Sequence, residues 1–290
     1  MGNLKEIRTR ITSIESTQKI TSSMKLVSAA KLRRAQTAIQ HLRPYSQKLN
    51  EILDNLAESG AEQMPLFEHR EPEKVVVVAI TSNKGLCGAF NSNIIKTVNH
   101  LVEENYAEQH RAGHLQLVCI GKKGKDQLCK SYPVMYYNET LLDNPDFTEL
   151  SAVADDLVLK FINHEIDKVD VVYNQFFNAA TQRVTVEEYL PVASIESDGE
   201  HKVNSDYIIE PSADELLQEL LPKILRTQLY KTLSDSIASE HGARMTSMTK
   251  ATDNASEMLH ELRLKYNNAR QSSITNELIE IVSGADALKG

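Results

Sequence analysis

The sequence predicts an α+β protein: a long antiparallel coiled coil built from the N- and C-terminal helices, with an α/β domain inserted between them. Three observations lead there. Apolar residues recur alternately every three and four positions at both ends of the 290-residue chain; the middle holds buried-strand runs separated by helical stretches; and the terminal segments are too long to fold back into one compact body.

The N-terminal helix is announced by Asn3-Leu4-Lys5-Glu6, a capping-box spacing with Asn3 as N-cap and Glu6 at the third helical position. From residue 3 to about 58 there is one proline, Pro44, and no glycine. Stepping by three and four from Leu4 visits sixteen positions as far as Leu56, eleven of them apolar, which is a coiled-coil seam. Its polar interruption at Gln18, Thr21, Lys25 and Ser28 coincides with off-register apolar residues Ile20, Met24, Leu26 and Val27. Either the seam rotates there or that turn faces something besides its partner helix, and a second contact is expected.

The C-terminal end mirrors this. Ser212-Ala213-Asp214-Glu215 is a second capping box, and helical spacing through Met245, Met248, Thr252, Ala255, Leu259 and Leu262 continues to a stop at Ser283-Gly284. Inside it, Pro222 and Gly242 cost about 3 and about 1 kcal/mol as helix-interior residues, so a kink or early break is expected near Pro222.

Between the helices, Val75 to Ile80 is a nearly unbroken β-branched run, followed by a glycine turn at Gly85 and Gly88 and a helical stretch from about Asn91 to Glu104. Leu115 to Ile120 is a second buried strand, so strand, helix and strand make a parallel, Rossmann-like unit. A helix near Glu149 to His164 precedes a strand at Val169 to Tyr173, and the alternation from Arg183 to Tyr189 reads as a hairpin or edge strand. The expected division is residues 1–60 as the first coiled-coil helix, 75–192 as the α/β domain, 193–211 as a polar linker and 212–290 as the second helix. At 1.5 Å per residue the terminal helices reach roughly 84 and 110 Å. A compact chain of this size is only about 50 Å across, so they are expected to protrude as a rod.

Charge adds a second kind of information. The formal net charge is -8, yet residues 1–50 hold ten Lys or Arg against two acids. That asymmetry points to an acidic partner for the first helix, either nucleic acid or an acidic protein surface, unless it is simply a solvated basic face. Tryptophan is absent and aromatics are 6%, so buried surfaces are aliphatic and small. Cys87, Cys119 and Cys129 form no CxxC pair, which speaks for plain thiols in a reducing compartment. No apolar run of about 18 residues and no secretory leader is present, so a soluble protein is expected.

Candidate chemistry is sparse. The run from Thr81 to Asn91 sits where a phosphate loop would, but it matches neither GxGxxG nor GxxxxGK[ST], and a tight strand-to-helix turn is the better reading. His110 and His114 are separated by Gly113 and lack carboxylate companions, so no metal site is expected. The acidic pairs Glu103-Glu104, Asp155-Asp156 and Glu187-Glu188 are sequence neighbours whose side chains point apart, which is not an acid/base dyad. Neither catalytic residues nor cofactor ligands emerge.

Three longer strings are specific. They are Thr17-Gln18-Lys19-Ile20-Thr21-Ser22-Ser23-Met24-Lys25-Leu26-Val27; Ser239-Glu240-His241-Gly242-Ala243-Arg244-Met245; and the stretch from Ala269-Arg270-Gln271-Ser272-Ser273-Ile274-Thr275 to Ser283-Gly284-Ala285. Together with Gly85-Leu86-Cys87-Gly88 and the order helix, α/β domain, helix, they closely resemble the gamma subunit family of bacterial F-type ATP synthases over nearly the whole chain. Asn83 stands where that family more often has Asp, and Gly242 where Ala is usual.

The resemblance implies a non-catalytic central rotor without a cofactor. Its helical shaft would sit in a ring of three alpha and three beta subunits, and its α/β domain would stand on the c-ring beside the epsilon subunit. It implies beta-subunit contacts for Met24, Lys25, Arg244, Gln271 and Thr275, and a place in the foot on the c-ring and epsilon for Asp206 and Tyr207. Nucleic acid is then not a partner, and the membrane is reached only through the complex, at the cytoplasmic face of the bacterial plasma membrane. Two rival classes make distinct predictions. A nucleic-acid adaptor would bind with steep salt dependence, and a nucleotide enzyme would show a saturable cofactor site.

Overall fold

The computed structural model of the chain describes residues 2–57, 65–192 and 213–287. Two long helices, α1 (Gly2–Ala57) and α7 (Ala213–Ala287), enclose in sequence a five-stranded sheet with five further helices. Helix α1 starts at Gly2, so Asn3 lies inside the helix rather than capping it. The 193–211 linker, together with Ser212, Asp206 and Tyr207, lies outside the described residues.

The chain forms two compact units. One consists of Met1–Ser28 and Met245–Gly290, where α1 and α7 pair. Glu15 meets Arg263 at 2.7 Å, Gln18 Nε2 donates to Ser256 Oγ at 2.7 Å, and Thr252 Oγ1 donates to Thr21 Oγ1 at 2.8 Å. The partner number falls as the first rises, so the pairing is antiparallel. The predicted seam holds: Met248, Ala255 and Leu259 are buried on α7, and Ile7, Ile11 and Ile14 are half-buried on α1. Nor does it rotate at its polar turn. Gln18 and Thr21 stay inside and bond across the interface, while Ile20, Leu26 and Val27 face outward, 58–68% exposed.

The other unit, Ala29–Arg244, contains the sheet together with the remaining parts of both long helices. Its strands are β1 (Val75–Ile80), β2 (Leu115–Ile120), β3 (Val134–Asn138), β4 (Lys168–Phe176) and β5 (Gln182–Leu190), in the order β3-β2-β1-β4-β5. β1 pairs in parallel with β2 and β4, β2 pairs in parallel with β3, and β5 closes the edge antiparallel to β4.

Alternation along β1 divides the core in two. Val75, Val77 and Ala79 face Ile94, Val98 and Val102 of α2 (Phe90–Asn105), a row spaced by four along one helix face. Val76, Val78 and Ile80 face the other way, into a core built with α6 (Phe147–Ile162) and with Leu217, Leu221, Leu225 and Leu229 of α7. Leu49 and Leu53 of α1 belong to that same core. The long helices are therefore structural layers of the sheet unit.

Short elements connect the strands: α3 (Ala107–Ala112), α4 (Lys122–Leu128) and α5 (Thr140–Asp143). The expected break at Pro222 does not occur, because α7 runs through it as one helix. The proline removes a single backbone hydrogen bond. On either side, Leu217, Leu221, Ile224 and Leu225 are buried. At roughly 1.5–3 kcal/mol for each such side chain, burial offsets the local cost.

Candidate functional site

The turn from β1 into α2 is held from within by three side chains. Ser82, buried at the strand end, donates its backbone N–H to Asn91 Oδ1 at 2.9 Å and its hydroxyl to the Lys84 carbonyl at 2.7 Å. Asn91 Nδ2 donates to Ser82 Oγ at 2.7 Å and to Cys87 Sγ at 3.3 Å. Burial pushes the Cys87 thiol up from its ordinary range, so it packs as an inert thiol. Leu86 adopts a left-handed backbone with φ of 64° and stands 62% exposed at the tip, beside exposed Lys84.

From the far end of the sequence, Arg244 closes this turn. Its Nη2 donates to the Lys84 carbonyl at 2.9 Å, and Nε and Nη2 both approach the Gly85 carbonyl at 3.3 Å. One helical turn back, Glu240 accepts from Arg244 Nη1 at 2.7 Å, and both side chains are 9% exposed. Burial outweighs the guanidinium and raises the Glu240 carboxyl. The same burial, reinforced by Arg244 and Lys31, lowers His241 to about 4, so its imidazole is neutral near pH 7. A phosphate cradle presents N–H groups to an anion. Here the turn presents two carbonyls to a cation, which is the opposite polarity.

Arg244, one of the expected beta-contact residues, is buried here, with its guanidinium bonded to Glu240 and to the Lys84 and Gly85 carbonyls of its own chain. The other expected contact residues belong to the coiled-coil unit. Met24 and Lys25 are half-buried on α1, next to the exposed row of Ile20, Leu26 and Val27. Gln271 and Thr275 are exposed on one face of α7, where Thr275 Oγ1 donates to the Gln271 carbonyl at 2.9 Å. Beyond them Ile274, Leu278, Ile279, Ile281 and Val282 are 48–67% exposed.

Spacing alone did not single out Asp235, 2% exposed within α7. Its Oδ1 has no hydrogen-bond partner; Arg43 Nη2 of α1 stands 4.0 Å away and also donates to the Phe176 carbonyl at 3.5 Å. Burial pushes the carboxyl up to about 6, with Glu187 adding to the rise while Arg43 and Lys231 oppose it. A carboxylate at helical spacing looks like a solvated charge until the packing around it is known. Among the described residues no group of three or more His, Cys, Asp or Glu could hold a metal ion, and no helix is long and apolar enough to cross a membrane.

Comparison with known proteins gives this arrangement a family. Residues 3–288 match the family model described as ATP synthase. The ATP synthase gamma chain of Flavobacterium johnsoniae is 51% identical over 292 residues, covering 100% of both chains. That of Chloroherpeton thalassium is 42% identical over 301 residues, covering 100% of this chain and 99% of its own. Among solved structures, a chain of the Tetrahymena thermophila mitochondrial ATP synthase central stalk and c-ring matches with a TM-score of 0.59 and 25% identity, over 80% of this chain and 99% of its own. A chain of the Euglena gracilis mitochondrial ATP synthase matches in fold with a TM-score of 0.70 at 20% identity, over 99% of this chain and 95% of its own. By a family match along nearly its whole length and by relatives at about half identity, this chain belongs to the ATP synthase gamma-chain family.

Proposed function

We propose that the chain is the central rotor shaft of a proton-translocating F-type ATP synthase, linking rotation of a c-ring to conformational change in a ring of alpha and beta subunits. Its work is mechanical, and ATP is made and hydrolysed on other subunits. The observation that carries this reading is the end of α7, where Ile274, Leu278, Ile279, Ile281 and Val282 stand exposed on a continuous helix. A helix end with this much exposed apolar surface needs an apolar surround. A collar of neighbouring subunits supplies one, and aliphatic side chains without tryptophan can slide within it.

The basic first helix fits an acidic loop of a beta subunit near Met24 and Lys25, with the outward Ile20, Leu26 and Val27 as its apolar complement. Gln271 and Thr275 supply polar contacts to beta higher on the shaft. The 75–192 domain, with Asp206 and Tyr207, forms the foot on the c-ring beside epsilon. The complex holds the chain at the cytoplasmic face of the bacterial plasma membrane. Because one shaft presents different sides to three identical subunits, its contacts are unequal, and unequal contacts bias those subunits toward different states.

The exposed thiol of Cys129 provides the test. Co-expressed with the alpha and beta chains of the same organism, the protein is expected to co-purify, and a probe on Cys129 to rotate during ATP hydrolysis. A complex that hydrolyses ATP while the probe stays still would overturn the assignment.

A further inference from the structure

The contacts of Arg244 point to a joint inside the protein. We infer that Arg244 is a positioning residue which, with Glu240, fastens the 83–88 turn to α7, so that the sheet and the part of α7 within the Ala29–Arg244 unit turn together and Leu86 is held rigidly at the tip of the turn. The mechanical half of this inference rests on the rotor reading; the fastening itself does not.

Four observations within the Ala29–Arg244 unit support it. The guanidinium is a planar fork, and it spans two successive carbonyls, those of Lys84 and Gly85, while Glu240 fixes its remaining edge at 2.7 Å. Beneath the turn, Ser82, Asn91 and Cys87 form a closed hydrogen-bonded set, so the loop is braced from both sides. Leu86 is a non-glycine residue in a left-handed conformation, which persists only where the surroundings hold it. Five residues earlier on α7, Ser239 Oγ donates to the Asn174 carbonyl of β4 at 2.9 Å.

The same stretch of helix is thus bonded to the sheet at two separated points, the β1–α2 turn and β4. A helix joined at one point can swivel about it. Two joints, one on the turn after β1 and one on β4, resist twisting, which is what a helix driven by torque requires. The α7 segment from 232 to 242 is buried at every position, as a gripped shaft would be.

Cys87 reports on the fastening. In the isolated full-length chain carrying Cys129→Ser, alkylation of Cys87 by a maleimide, followed by peptide mass spectrometry, measures how often the turn opens. Arg244→Gln is expected to speed this at least tenfold, and Glu240→Gln by less. Arg244→Lys keeps the charge beside Glu240 but can hold only one carbonyl well, so it should fall between Gln and the parent. In membranes with the assembled complex, proton pumping per ATP hydrolysed should decline in the same order, with Arg244→Lys restoring part of it.

An unchanged Cys87 rate in both Arg244 variants would overturn the fastening, and would favour an Arg244 that acts on a partner subunit. Faster alkylation with an unaltered pumping ratio would overturn the joint while leaving the fastening in place. If Arg244→Gln fails to accumulate, Arg244→Lys and Glu240→Gln carry both measurements. Failure of the rotor reading is a separate result, since it would appear as a stationary probe on the parent complex.

Discussion

Replacing Asp235 with asparagine should make the chain more stable at neutral and alkaline pH, and less so as the solution is acidified. The carboxyl has an ordinary value of 3.8 and is raised to about 6 in the fold, mainly because it is 2% exposed with an oxygen that accepts no hydrogen bond. Between those values the folded chain binds a proton that the unfolded chain does not, so this group's contribution is largest below 3.8 and is lost as pH rises through 6. A difference of about 2 pH units corresponds to about 3 kcal/mol. Urea denaturation of the parent and Asp235→Asn at a series of pH values isolates this term, because every other titrating group cancels in the difference. The advantage of the variant should be about 2–3 kcal/mol greater at pH 8 than at pH 4. Parallel stability profiles for the two proteins would refute the reasoning, and would mean that Arg43, 4.0 Å away, already compensates the buried charge.

His241 should behave in the opposite sense. Lowered to about 4, it stays neutral while the unfolded chain takes up a proton below about 6.5, so it subtracts stability as pH falls through that interval. Its ring resonances in an NMR titration should not move above about pH 5, and an apparent value near 6.5 would contradict the buried placement. Gly121→Ala should be severe, costing about 3 kcal/mol or more, because φ is 105° and the added carbon would lie 2.3 Å from the Thr81 carbonyl oxygen. Wild-type stability in urea would refute that geometry. Gly242→Ala should be mild. The new methyl meets the Ala179 carbonyl at 3.2 Å, but the facing 178–181 turn can yield, and the helix gains about 1 kcal/mol, so a loss above about 1 kcal/mol would contradict the expectation.

Local signals were enough for much of the architecture. Both long helices followed from three-four spacing, and β1, β2, β4, α2 and α6 followed from runs whose burial pattern is written into neighbouring residues. β3 and α4 escaped. β3 is a half-buried edge strand after Pro133 without clean alternation, and α4 is seven residues long with Gly124 inside it. Neither carries a periodic signal long enough to rise above a loop. At Pro222 propensity pointed one way and burial of the flanking leucines the other, and only the packing says which is larger.

The candidate site divides in the same way. The strings around Met24, Arg244, Gln271 and Thr275 were legible as words of a family, and the spacing of Glu240 and Arg244 allowed a pair on one helix face. By itself the sequence determined the helices, their seams, the basic first helix, the core strands and the family. Tertiary structure alone decided that Gln18 and Thr21 remain inside the seam, that Asp235 is a buried charge, and that Arg244 closes on carbonyls 159 and 160 residues away. Periodicity encodes which face of an element is buried, because that depends on neighbours within a turn or two. The partner of a buried polar group depends on which distant segment the fold lays against it, and nothing in the local spacing of Arg244 names Gly85.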